Sequence, residues 1–161
     1  MNYYIFDLDN TLYKLNENMK IVNTIDITLL NKLKTQGTII MFSNATYHHC
    51  VYWSSILNIK EYFSSIISSD NLQHTKPNPL SYEKVIELYN IKETDNVYFF
   101  DDIPINLYSA SKYNWNTYLI NKENNMKKYI ENKNEHIDNQ CNIIQFDNIN
   151  SCIESILNLN E

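Results

Sequence analysis

The stretch Asn2-Tyr3-Tyr4-Ile5-Phe6-Asp7-Leu8-Asp9-Asn10-Thr11-Leu12 decides how this chain is read. Its apolar run, Tyr3 to Phe6, does not alternate with polar residues and stops at an acid. A strand covered on both faces looks like this, and such strands belong to parallel sheets packed between helices. Residues two apart in an extended chain point the same way, so Asp7 and Asp9 can address one spot. Two carboxylates that close repel each other unless a cation or a shared proton compensates.

Working outward, the same signature recurs. Thr38 to Phe42, Ser65 to Ser68, Val97 to Phe100, Thr117 to Ile120 and Asn142 to Phe146 read as further strands, the last at an edge. Helical patterns fall between most of them. Ile25 to Lys34 places Ile25, Leu29, Leu30 and Leu33 on one face, with Gly37 as its stop. His48 to Leu57 reads as a helix with Val51, Ser55 and Leu57 among aromatic neighbours. Pro79 to Tyr89 is the clearest helix, opened by proline and carrying Tyr82, Val85, Ile86 and Tyr89 on one side. Ile105 to Tyr113 and Asn150 to Leu159 complete the set, the second with Ile153, Ile156 and Leu157 inward. The alternation predicts an α/β fold: a parallel, doubly wound sheet of five to six strands with helices on both faces. In such sheets the site lies outside the carboxyl ends of the strands.

At 161 residues the chain has the size of one domain, and 1–161 is read as a single unit. Residues 121–140 carry four lysines, four acids and several asparagines with little apolar content, so they read as a solvated insertion; 141–161 supply the edge strand and closing helix. The longest apolar runs are four residues, against about 20 for a membrane span, and no secretory signal is visible. Cys50, Cys141 and Cys152 form no CxxC pattern and read as reduced thiols, so the expected location is cytoplasmic. The 26 asparagines and 13 tyrosines belong to A/T-rich codons, as in a large DNA virus, an A/T-rich protist or an A/T-rich bacterium. All 13 basic residues are lysine, so no guanidinium is present to clamp a phosphate through two parallel bonds. The net charge of −6 argues against an extended nucleic-acid track.

The strand ends collect the polar chemistry. After the first come Asp7, Asp9 and Thr11, after the second Ser43 and Asn44, and after the fourth Asp101 and Asp102, with Asn106 one helical turn on. Lys76, fixed by Pro77, precedes the clearest helix. Gathered at one sheet edge, these groups make an oxygen-rich pocket with one ammonium. Hard oxygen donors suit magnesium. A divalent cation and a lysine together would neutralise a phosphoryl group, and an aspartate can serve as its acceptor.

These four motifs, in order over about the first 120 residues, resemble the haloacid dehalogenase (HAD) superfamily. Asp7-Leu8-Asp9-Asn10-Thr11 is similar to the family's DxDxT, Ser43 to its second motif, Lys76 to its third, and Asp101-Asp102 with Asn106 to its fourth. The resemblance implies a Rossmann-like HAD fold and a magnesium-dependent phosphomonoesterase working through an aspartyl-phosphate. Asp7 would be the nucleophile and Asp9 the general acid and base. Asp7, the backbone carbonyl of Asp9 and Asp102 would hold magnesium, with Asp101 behind them or bound through water. Ser43, Asn44 and Lys76 would bind phosphoryl oxygens, and Thr11 would buttress the loop. Dehalogenases of the superfamily need no acid at the position of Asp9, so the resemblance favours a phosphatase. The later motifs are most similar to the pyrimidine 5′-nucleotidase-like branch, but only 31 residues separate Thr11 from Ser43, enough for a flap and one helix and too few for a large cap. A capless site implies a phosphorylated macromolecular end, or a small ester if a homo-oligomer covers it. Two alternatives stand beside this reading: a nucleotide or small-metabolite phosphatase that lost its cap, and a catalytically idle HAD-fold binding module.

Other residues carry plainer expectations. His48 and His49 read as surface or cap residues, Tyr47, Tyr52 and Trp53 as core, and Asp70-Asn71 as a turn. Tyr13 and Lys14 lie in the flap, within reach of substrate.

Overall fold

The computed structural model describes residues 1–121 and 142–159. Strand β1 (Asn2–Phe6) lies in the middle of a six-stranded sheet, flanked by β4 (Thr38–Phe42) and β6 (Asn96–Asp101). Beyond β4 lies β5 (Ser65–Ile67), and beyond β6 come β7 (Asn116–Ile120) and β8 (Ile143–Phe146). Every pairing in this sheet is parallel. Burial explains the continuous apolar runs. Tyr3 and Ile5 point to one face, Tyr4 and Phe6 to the other, and all four are buried.

Two helical layers provide that cover. Helix α1 (Ile27–Gln36) packs Leu29, Leu30 and Leu33 beside Tyr4, Phe6 and Met41, and the last helix, α5 (Ile149–Leu159), adds Cys152, Ile153, Ile156 and Leu157 to the same cluster. On the opposite face α3 (Pro79–Tyr89) and α4 (Pro104–Ser111) cover Ile5, Ile40 and Phe99 with Tyr82, Val85, Leu107 and Ala110. Phe6 stacks on Phe100 at 4.5 Å across β1 and β6, a contact worth about 0.5–1.5 kcal/mol beyond burial. The expected doubly wound α/β architecture is therefore present.

Helix α2 (Tyr47–Ile56) has an inward face that the sequence left undefined: Cys50 and Ser54 are its buried residues. Tyr47 and Tyr52 are exposed rather than core, while Trp53 is half-buried. Between β1 and α1 the flap is a two-stranded antiparallel hairpin, β2 (Tyr13–Leu15) and β3 (Ile21–Thr24), and no cap domain stands there. The polar stretch 121–140 and Cys141 lie outside the described residues, apart from Asn121. Cys50 and Cys152 are free and buried. Among the described residues, no helix is long and apolar enough to cross a membrane.

Among the described residues the backbone enters the left-handed region without glycine at five places: Met19, with φ of 58°, and four asparagines, Asn10, Asn58, Asn90 and Asn114, with φ of 61°, 55°, 50° and 58°. Asparagine tolerates this left-handed region better than most residues. Gly37, the one glycine, is needed for space. Its backbone is extended, but a Cβ there would lie 2.3 Å from the Asn2 carbonyl oxygen. Gly37→Ala must push the start of β4 off β1, where Thr38 pairs with Tyr3. A thermal melt should show a loss of about 1–3 kcal/mol; an unchanged melting temperature would mean that the two strand starts have room to part.

Candidate active site

The strand order reverses direction at β1. From there the chain steps outward through β4 to β5, returns across the sheet, and steps outward again through β6 to β8. Connections on the two sides diverge at this point, leaving a crevice at the carboxyl ends of β1, β4 and β6. Asp7 leaves β1 with its N–H still donating to the Phe100 carbonyl at 2.9 Å. Leu8 and Leu12 are fully buried, and Leu12 N–H donates to the Leu8 carbonyl at 2.9 Å, closing a tight turn through the left-handed Asn10. Two core leucines thus anchor a loop whose polar residues face the crevice side.

At its centre is a buried ammonium. Lys76 Nζ donates to Asp7 Oδ1 at 2.9 Å, Asp101 Oδ2 at 2.7 Å and the Phe42 carbonyl at 2.8 Å. All three ammonium protons are thereby engaged. The residue is held from behind by Asn44, whose amide donates to the Lys76 carbonyl at 2.8 Å and accepts from the Lys76 N–H at 2.9 Å. Asn44, expected to face a substrate, spends its side chain on positioning the lysine. The Lys76–Pro77 peptide is cis.

Asp101 is fully enclosed. Besides Lys76, it accepts from the Ile103 N–H at 2.8 Å and from the Asn106 amide at 3.1 and 3.0 Å. The amide at position 106 therefore supports this carboxylate through hydrogen bonds. Thr11 Oγ1 donates to Asp7 Oδ2 at 3.3 Å. Ser43 is buried, its hydroxyl accepting from the Ala45 N–H at 3.1 Å. Asp7, Asp101 and Asp102 bring carboxylate oxygens within 4.8 Å of one another.

Three buried carboxylates face one lysine, and the balance of charge is felt. Burial pushes the Asp7 carboxyl up to about 7 despite Lys76, with Asp101 and Asp9 adding repulsion. Burial, then Asp101 and Asp7, push Asp102 up to about 8. Burial works to lower the Lys76 ammonium, but Asp101 and Asp7 outweigh it and raise it. A donor set of hard oxygens in which three carboxyls meet one ammonium is one that a divalent cation such as magnesium fits.

Asp9 is placed differently. Its Oδ1 accepts from the Tyr13 hydroxyl and lies 2.8 Å from His49 Nε2. The cap of α2 is Thr46, whose Oγ1 accepts from the His49 N–H, and the His49 ring reaches this acid, which the sequence reading missed. Tyr13, expected in the flap, is buried and stacked on Trp53 at 4.5 Å. Burial, and then its bond to Asp9, hold its phenol well above the ordinary value. Asp70 and Asn71 form the expected turn, and Asp70 accepts from the Tyr47 N–H at the start of α2. A polar cleft of about 320 Å³ opens beside Thr11 and Asp102, walled by Asn10, Tyr13, Lys14 and Asn148 among others.

The haloacid dehalogenase-like hydrolase family model matches residues 16–112, more than half of the chain. The chain belongs to this family. The match takes in Ser43, Lys76, Asp101 and Asp102, and starts after Asp7 and Asp9. Among solved structures, a HAD-superfamily hydrolase from Ehrlichia chaffeensis is 22% identical with a TM-score of 0.65, over 94% of this chain and 64% of that one. An uncharacterized protein from Listeria monocytogenes serotype 4b matches with a TM-score of 0.71 at 14% identity, over 99% of both chains. A predicted phosphoglycolate phosphatase from Haemophilus somnus matches at 18% identity and a TM-score of 0.62, over 83% of this chain and 55% of that one. The chain thus spans less than two thirds of the Ehrlichia and Haemophilus proteins. An L-2-haloacid dehalogenase from Xanthobacter autotrophicus also matches, with a TM-score of 0.61 at 14% identity. At these identities the likeness concerns the fold. A sequence comparison with curated proteins gives no match. The chain is therefore a HAD-like hydrolase by family and by fold.

Proposed function

We propose that this HAD-like hydrolase cleaves phosphate monoesters through an aspartyl-phosphate on Asp7. The observation that carries the reading is the buried cluster of Asp7, Asp101 and Asp102 around Lys76, with a second, more open acid at Asp9. A carboxylate oxygen of Asp7 attacks phosphorus while the ester P–O bond breaks. Asp9 gives its proton to the departing alkoxide, which leaves as the alcohol. The Asp9 carboxylate then takes a proton from water as that oxygen attacks phosphorus and the Asp7–phosphorus bond breaks. Inorganic phosphate leaves, and both acids return to their starting forms.

Lys76 holds one Asp7 oxygen in place and offsets the charge that gathers there. Thr11 holds the other oxygen. Asp7, Asp102 and the Asp9 carbonyl would hold magnesium, with Asp101 behind them through its bonds to Lys76 and Asn106. Bound there, the metal supplies positive charge to the phosphoryl oxygens. Ser43 would meet those oxygens from the β4 side. The polar cleft, at the small end of the range for ligand sites, suits a small hydrophilic leaving group.

Metal-dependent phosphate release from a panel of esters tests this reading. Release with magnesium and its loss with EDTA are expected. Because Asp7 and Asp102 must ionise to hold the cation, magnesium affinity should rise from pH 6 to pH 8 and binding should release protons, read by calorimetry in two buffers. No metal-dependent release from any ester would leave an idle binding module as the better description.

A further inference from the structure

Asp9 has one oxygen that is crowded and one that is not. Oδ1 takes the Tyr13 hydroxyl and the His49 ring nitrogen, whereas Oδ2 makes no hydrogen bond among the described residues. A carboxylate oxygen has two lone-pair sites, and both on Oδ1 are used. We propose that His49 and Tyr13 are positioning residues for Asp9, occupying Oδ1 so that Oδ2 alone gives and takes the proton. This rests on the phosphatase reading above, in which Asp9 is the general acid and base.

His49 is held independently of Asp9, while Tyr13 is fixed both by its stacking partner and by a backbone bridge to Asp9. His49 sits in the first turn of α2, whose start is fixed by Thr46 and by Asp70, with Cys50 buried beside it. Tyr13 starts β2 and is clamped flat on Trp53, one turn beyond His49 along α2. The His49 and Trp53 rings lie 6.4 Å apart, so helix and hairpin close a triangle around one oxygen. To donate to an ionised Asp9, the His49 ring must carry its proton on Nε2. In the protonated form of Asp9, the acidic hydrogen is excluded from Oδ1 and resides on Oδ2. The acid then begins each cycle aimed, without a search between two oxygens and their rotamers.

The alternative is a plain structural tie between α2 and the loop after β1, and leaving-group dependence separates the two. Protonation matters for an alkyl phosphate and little for dinitrophenyl phosphate, whose phenolate leaves unaided. The readout is the ratio of kcat/KM for the alkyl ester to that for the dinitrophenyl ester, since kcat/KM reports the first chemical step. General acids contribute roughly 10²–10⁴ to such steps, so His49→Ala should lower this ratio by about tenfold or more. Tyr13→Phe, which keeps the stacking ring, should lower it in the same direction. His49→Gln, with an amide N–H near the place of Nε2, should recover most of it. In an Asp9→Asn background, His49→Ala should change the ratio no further. Equal losses on both esters, or no loss on either, in His49→Ala and Tyr13→Phe would overturn the positioning role while wild-type turnover stands. A wild type silent on every ester would instead overturn the phosphatase reading, and this role with it.

Discussion

Asp7→Asn should abolish turnover while leaving the fold intact. The substitution keeps the shape of the side chain and removes the carboxylate held between Lys76 and Thr11. An amide cannot form the acyl-phosphate, and loss of a nucleophile costs far more than loss of a binding contact. A drop in kcat of at least about a thousandfold is expected, with no phosphoenzyme adduct in acid-quenched mass spectra. Stability should move little or improve above pH 7 in metal-free protein, because the Asp7 carboxyl, raised to about 7 by burial, is there ionised at a cost to the fold. Residual activity within tenfold of wild type would place the nucleophile elsewhere.

Lys76→Met should produce the largest loss of stability. The methionine fills much of the same volume but leaves Asp7 and Asp101 without their shared cation and the Phe42 carbonyl without its donor. Breaking a buried ion pair from one side costs about 3–5 kcal/mol, which at about 2–4 °C per kcal/mol for a domain of this size lowers the melting temperature by about 10 °C. The pH dependence has a definite sign. Asp7 and Asp102 are raised to about 7 and 8 in the fold, so between pH 4 and pH 8 the folded state binds more protons than the unfolded one. Metal-free stability therefore falls as pH rises through that window. The Lys76 ammonium, itself raised, stays charged across it, so its contribution is lost only in strong alkali. The deficit of Lys76→Met should accordingly be smaller at pH 5, where the Asp7 and Asp102 carboxyls are protonated, than at pH 8.5. Equal melting temperatures for variant and wild type at pH 8.5 would mean that the cluster already sits protonated.

Much of this site could be read from the chain because buried parallel strands announce their own ends. Tyr3 to Phe6 and Val97 to Phe100 are apolar up to an acid, and that acid marks the sheet edge; β1, β4 and α3 begin and end where the pattern places them. Lys76 gained meaning only from its company, since nothing local distinguishes it from a surface lysine. Asn44 looked like an anion donor because a free amide after a strand resembles one, and only the geometry gives its side chain to the Lys76 backbone. Nothing in the sequence tied His49 or Tyr13 to Asp9. They meet Asp9 across 40 and 4 residues, without any period linking them, in a chain rich in tyrosine. On α2, aromatic residues at 47, 52 and 53 hide the spacing of Cys50 and Ser54, so its inward face could not be chosen.

The asparagines at positions 10, 58, 90 and 114 give the codon bias a mechanical side. A glycine at any of these corners would wander widely in the unfolded chain and surrender that freedom on folding, whereas an asparagine has less to surrender. Hinges elsewhere entrusted to the smallest residue are here made stiffer by an amide. The corner at Asn10, immediately after the two acids, thus contributes to rigidity where the proposed chemistry most needs it.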